Sequence, residues 1–205
     1  DGIEVGEPLM LARAGAEGAA LGVCMGPGPS QVTCTILPHG VQVIDVHTSS
    51  TKKSWALRGR RPILPAAVVG NGERLVLACD DNSLISWKYT ETDVNKGTTL
   101  NADAASAVKF LLVDPHFAGV VLVSQNGKVR AMSGDLKTEL CSTSLHLPKG
   151  ASVLFAELVP LQDKAGAGRA FALVAVTKSG NGKAHHVRVQ LTCARGGEEE
   201  GGERW

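Results

Sequence analysis

Arg74-Leu75-Val76-Leu77-Ala78-Cys79 runs into the polar bend Asp80-Asp81-Asn82 and returns as Ser83-Leu84-Ile85-Ser86-Trp87-Lys88. Each arm is six residues long, too short for a stable helix and the usual length of a strand. Aliphatic residues dominate the first arm, Leu84, Ile85 and Trp87 supply the apolar part of the second, and Asp and Asn favour the bend because they tolerate left-handed backbone angles. The stretch is a β-hairpin. The apolar run 75–79 shows no polar alternation, which is the pattern of a strand buried on both faces.

The pattern recurs along the chain. Residues 32–37 turn into 41–46, residues 119–124 into 128–132, and residues 171–176 into 186–191. Val43, Leu84, Val129 and Val187, taken as equivalent, stand 41, 45 and 58 residues apart. A period of about 40–45 is that of one WD40-type blade, so the third step carries an insertion, in the segments 162–169 and 178–183. A further apolar run precedes each of the last three hairpins, at 63–69, 107–113 and 152–159, and a weaker segment follows each of the first three, at 54–57, 98–100 and 138–141. Four short strands per unit, joined by Asn-Gly, Asp-Asn, Ser-Gly and Pro-rich turns, describe a radial blade and not a βαβ unit.

The expected fold is therefore all-β: a WD40-like β-propeller forming a partial ring of about four blades. WD40-like rings usually close with more blades, so the chain is expected to be the front part of a longer propeller. An unclosed array exposes the apolar flank of its last blade, and each repeat depends on its neighbour for cover. The isolated chain is accordingly expected to be marginal or aggregation-prone. Residues 1–30 read as an N-terminal arm with the start of the first blade, the first clear strand opening near Gln31. The propeller occupies 31–193, and the Gly- and Glu-rich segment 194–205 is too polar to bury anything and reads as a disordered tail.

With 205 residues and 43% hydrophobic content, the chain can bury one sizeable core. No run approaches the ~18 apolar residues of a membrane span, and no basic segment followed by a hydrophobic stretch opens the sequence. Neither a bilayer nor secretion is expected. Cys24, Cys34, Cys79, Cys141 and Cys193 never reach Cys-x-x-Cys spacing, so they read as thiols in a reducing compartment and not as a zinc site. Cys34 and Cys79 fall inside apolar strands, where cysteine acts as a small hydrophobe. Net charge is +1, from 21 basic and 20 acidic residues. No global field draws such a molecule onto nucleic acid, and any contact of that kind is local.

The stretch from Leu21 to Leu136 carries a set of features in a fixed order. They are Leu21-Gly22-Val23, Lys53-Ser54-Trp55 at the end of the first blade, and Gly72-Glu73-Arg74-Leu75-Val76-Leu77 at the start of the second hairpin. Asp81-Asn82-Ser83-Leu84-Ile85-Ser86-Trp87, the turn Asp93-Val94-Asn95-Lys96 and Asn126-Gly127-Lys128-Val129-Arg130-Ala131 follow. In this order and spacing the chain resembles the amino-terminal region of the nucleolar protein eleven family, propeller subunits of the small-subunit processome. The segment after Cys193 departs from a continuing propeller, and the helical carboxy-terminal part expected of the family is missing. The resemblance implies a non-catalytic scaffold in the nucleus and nucleolus. It would assemble with the other propeller subunits of the processome and support transcription and processing of pre-ribosomal RNA. It brings no cofactor, no metal, no catalytic residue and no small-molecule substrate.

Arg58, Arg60 and Arg61, on the link between the first two units, are the sharpest charged cluster and the candidate contact for a partner or for RNA phosphates. An ordinary solvated loop explains the same residues, because flanking aromatics for base stacking are missing. Asp80-Asp81-Asn82 lacks the ligand succession and distal Glu of a calcium loop and reads as a turn. His185 and His186 open an alternating strand, which sends them to opposite faces and away from a shared metal. His39, His47, His116 and His146 lie in turns or at strand ends and need no special role. Lys178-Ser179-Gly180-Asn181-Gly182-Lys183 resembles a phosphate loop only in composition; with no helix after it, it reads as a hairpin turn. Trp55 and Trp87 read as packing anchors between strands or blades. Two alternatives to the nucleolar scaffold remain on sequence: an interaction propeller of another machine, such as a vesicle coat or a chromatin complex, and a propeller enzyme with acids and histidines at a central channel.

Overall fold

The computed structural model describes residues 19–25, 32–46, 48, 50–69, 73–89, 93–101, 107–113, 119–161, 169–180 and 182–193. Their strands form four antiparallel sheets, each built from consecutive segments of chain. β1 (Gly22–Met25), β2 (Val32–Leu37), β3 (Gly40–Asp45) and β4 (Thr51–Ala56) make blade 1. β5 (Pro62–Val69), β6 (Arg74–Cys79), β7 (Leu84–Lys88) and β8 (Thr98–Leu100) make blade 2. β9 (Val108–Val113), β10 (Gly119–Ser124), β11 (Lys128–Ser133) and β12 (Glu139–Ser144) make blade 3. Blade 4 has β13 (Ser152–Pro160), β14 (Arg169–Lys178) and β15 (Ala184–Cys193).

The hairpin read first from sequence is β6–β7, with Arg74 opposite Lys88 and Ala78 opposite Leu84. Its middle strands are apolar because they are sandwiched: Leu75 to Cys79 of β6 and all of β10 are buried. Asn82 supplies the turn at φ 63°, and Gly127 supplies the next one at φ 83°, a region that costs glycine little and that asparagine tolerates better than most residues. Gly40 has a different task. It stands opposite Ala56, and an added Cβ would overlap the Trp55 carbonyl oxygen, so only glycine lets β3 and β4 meet at that end.

The first strands of successive blades stand side by side, β1 against β5, β5 against β9 and β9 against β13. Between blades lie three apolar cores. Ile36, Val41, Leu75, Leu77 and Trp87 fill the joint of blades 1 and 2. Val69, Val76, Leu84, Leu122 and Met132 fill that of blades 2 and 3, and Val121, Val129, Leu173 and Leu191 that of blades 3 and 4. Among the described residues no fourth core joins blade 4 to blade 1. The described residues form a propeller arc of four blades.

Three details differ from the sequence reading. A strand, β1 at Gly22, precedes the first clear one read near Gln31, because a four-residue strand paired to β2 is too short to show a pattern of its own. Among the described residues blade 4 consists of three long strands in place of four short ones, the alternating run 184–193 continuing as one ten-residue strand. The Asp93 turn closes a single 3-10 turn, Val94–Lys96, with the Asp93 carboxylate accepting from the Asn95 amide at 2.9 Å. Of the expected segment 1–30, residues 1–18 and 26–30 lie outside the described residues, as do the expected tail 194–205, His47 and His116.

Candidate functional site

The link between blades 1 and 2 separates the three arginines instead of gathering them. The Leu57 amide donates to the His39 carbonyl at 2.9 Å, fixing the start of the link on the β2–β3 hairpin. At its end the Arg61 amide donates to Asp80 Oδ1, and the Asp80 amide donates back to the Arg61 carbonyl, both at 2.9 Å. Between them, the Arg58 amide donates to Asn95 Oδ1 at 2.9 Å and Asn95 Nδ2 reaches the Ala56 carbonyl. Later links repeat the stitch: Gln125 donates to the Ala107 carbonyl, and Leu145 to that of Gly127. The hairpin tips and blade links therefore form one braced rim.

Within that rim Arg60 turns inward. Its Nη1 donates to Ser83 Oγ at 3.0 Å and its Nε lies 3.8 Å from Asp81 Oδ2. Asp81 Oδ1 in turn accepts from the Ser83 amide and hydroxyl. The Ser83 hydroxyl above all, then its amide and Arg60, hold the Asp81 carboxyl below its ordinary range. Arg60 is a brace for the β6–β7 turn, and Asp80-Asp81-Asn82 is a turn, as the sequence indicates. Arg58 and Arg61 are exposed and remain the candidate contacts.

The other sequence candidates resolve into packing. Trp55 of β4 and Trp87 of β7 meet edge to face across the blade 1–2 joint, ring centroids 4.2 Å apart, and Lys53 Nζ lies 5.4 Å from the Trp55 centroid while donating to the Tyr89 carbonyl. His185 and His186 sit opposite Thr177 and Val176 and hence on opposite faces of blade 4. The segment 178–183 is a hairpin turn closed by the Ser179 amide on the Lys183 carbonyl. Cys24, Cys34, Cys79 and Cys141 are free thiols. The Cys24 sulfhydryl and burial push the Cys34 thiol up, and burial pushes Cys79 up to about 11. Among the described residues no group of three His, Cys, Asp or Glu side chains is placed to hold a metal.

Sequence reasoning missed the polar latches between blades. Asn95 ties blade 2 to the end of blade 1. Ser86 Oγ, fully buried, donates to the Gly134 carbonyl of blade 3 at 2.5 Å, and Lys109 Nζ of blade 3 donates to the Val153 carbonyl of blade 4. A lone Ser or Lys inside a strand carries no signal of a partner some forty residues away.

This geometry defines the class of protein: a β-propeller. No protein-family model matches the chain, and no curated protein matches it. Solved structures do. The chain is similar to the computationally designed Ika4 protein at 13% identity and TM-score 0.55, covering 87% of this chain and 97% of that one. It is similar to BamB from Moraxella catarrhalis at 12% identity and TM-score 0.50, covering 84% of this chain and 50% of that one. Sqt1 from Saccharomyces cerevisiae aligns at 13% identity and TM-score 0.56, covering 80% and 46%. The chain thus spans about half the length of these two natural propeller proteins. At such identities the likeness concerns the fold alone.

Proposed function

We propose that the chain is a non-catalytic scaffold that docks other proteins. On the resemblance of residues 21–136, we place it among the propeller subunits of the nucleolar small-subunit processome. One observation supports the scaffold reading. Along β13 the flank of blade 4 turned away from blade 3 is exposed, with Leu154 and Phe155 each 49% and Val159 42% exposed, while Ala172 of β14 on the same face is buried. The matching flanks of blades 1 to 3 are each sealed by the next blade. Such a flank takes another β-sheet with an apolar face, as the three existing joints do, and a neighbouring propeller offers one. Arg58 and Arg61 supply the local positive charge for a contact with pre-ribosomal RNA or an acidic partner.

The test is affinity purification of the tagged chain from nuclear extract, followed by identification of what accompanies it. Early pre-ribosomal factors, lost with Phe155→Glu, are the expected result. A set drawn from vesicle coats or chromatin would overturn the nucleolar assignment, and no specific partner would overturn the scaffold itself. Replacing Arg58 and Arg61 together by Glu weakens capture if these residues touch the partner, and unchanged recovery removes them from the interface.

A further inference from the structure

The third strand of blades 1, 2 and 3 is flanked on its far side by a fourth: β3 by β4, β7 by β8, β11 by β12. In blade 4 the third strand is β15, and among the described residues nothing pairs with its far edge. β15 is ten residues long and all ten pair with β14 without a register shift, from Ala184 opposite Lys178 to Cys193 opposite Arg169. Neither a bulge nor a proline interrupts it, and these are two of the usual ways of blunting a free edge.

Burial along β15 shows that cover is missing. Ile85 and Trp87, on the third strand of blade 2 and turned toward blade 1, are buried, and so is Met132 on the third strand of blade 3. Val187 and Val189 hold the corresponding place on β15, turned toward blade 3, and are only half-buried. On the opposite face His186, Arg188 and Gln190 are exposed. Strands β14 and β15 together contain no Asp or Glu. Among the described residues the edge thus offers unpaired backbone groups, an apolar strip on one side and the Arg188 guanidinium on the other.

We propose that β15 receives its fourth strand from a partner: an extended segment in which acidic and apolar residues alternate. Its backbone completes the ladder as in strand addition to an exposed sheet edge. Its apolar residues cover Val187 and Val189 beside β12, and a carboxylate lies across from Arg188, where opposite charges on neighbouring strands attract. The inference rests on the reading of the chain as a docking scaffold. It uses the strand edge, not the exposed flank, and its test does not depend on which assembly the chain belongs to.

The experiment titrates the 205-residue chain with a fluorescent ten-residue peptide of alternating Glu and Val, followed by anisotropy and by hydrogen exchange at each β15 amide. The expected result is saturable binding with slowed exchange confined to β15 amides. Weakening by about tenfold is expected for Arg188→Glu, and no binding is expected when alternate valines of the peptide are proline. The Arg188→Glu protein should instead prefer a Lys-Val peptide, a gain that an unfolded variant would not show. No binding at millimolar peptide, protection elsewhere in the molecule, or indifference to Arg188→Glu overturns the proposal. Protection, without peptide, of the β15 amides that do not bond to β14 also overturns it: in favour of a second copy if sedimentation shows a dimer, or of the chain's own acidic segment if deleting 194–205 abolishes that protection.

Discussion

Replacing Trp87 separates two contributions at the blade 1–2 joint. The side chain is fully buried among Ile36, Val41, Leu75 and Leu77 and abuts Trp55. Truncation to Ala removes the whole indole from a joint that can collapse only partly, a change that typically costs about 3–5 kcal/mol. The indole Nε1 has no hydrogen-bond partner, and a buried donor left unsatisfied costs about 1–3 kcal/mol. Phe removes that orphan donor and keeps most of the ring. Its loss of area, on the order of 40 Å² at 25 cal/mol per Å², is about 1 kcal/mol. The two changes offset, so Trp87→Phe is expected within about 1 kcal/mol of the parent protein while Trp87→Ala loses at least about 3. Urea unfolding followed by far-ultraviolet circular dichroism measures both, since the loss of a tryptophan does not blind that probe. If Trp87→Phe proves as costly as Trp87→Ala, the indole N–H is satisfied and the reasoning fails.

Three further outcomes follow from the same geometry. Gly40→Ala drives a Cβ into the Trp55 carbonyl and should lower stability by about 1–3 kcal/mol, as overpacking does, with faster exchange of the β4 amides. Ser86→Ala removes the latch to Gly134 and should cost about 1–2 kcal/mol in urea, leaving a buried carbonyl short of a donor. The Asp81 carboxyl is held low by Ser83 and Arg60, and Asp93 by the Asn95 amide and side chain. Such groups favour the folded state above the unfolded carboxyl value of about 3.9 and cease to do so as pH falls through their lower folded values. The urea midpoint is expected to drop below about pH 4 and to drop less steeply in Asp81→Asn.

What was legible in the sequence follows from the range of the interactions. The strands of blades 2 and 3 announced themselves because a blade buried on two faces needs unbroken aliphatic runs, and because Asn82 and Asn126-Gly127 dictate their turns locally. Trp55 and Trp87 were legible as anchors for the same reason. β1 was not: four residues without a polar break carry no period, and only pairing with β2 makes them a strand. The surroundings of the arginine cluster were hidden for a related reason. Arg60 is 23 residues from the Ser83 hydroxyl that turns it inward, so three charges adjacent in sequence became one brace and two exposed side chains. The uncovered edge of β15 was equally invisible, since the alternation in 184–193 fixes the faces of a strand and says nothing of what lies beside it.

The central claim is the order of the blades, with each of the three cores among the described residues joining consecutive blades. Methyl-to-methyl nuclear Overhauser contacts in the deuterated chain test it most directly. The account predicts contacts within each of three sets: Ile36, Val43, Leu75 and Leu77; then Val69, Val76, Leu84 and Leu122; then Val121, Val129, Leu173 and Leu191. Contacts running from the first set to the third, as a two-layer sandwich or a closed barrel requires, would contradict it.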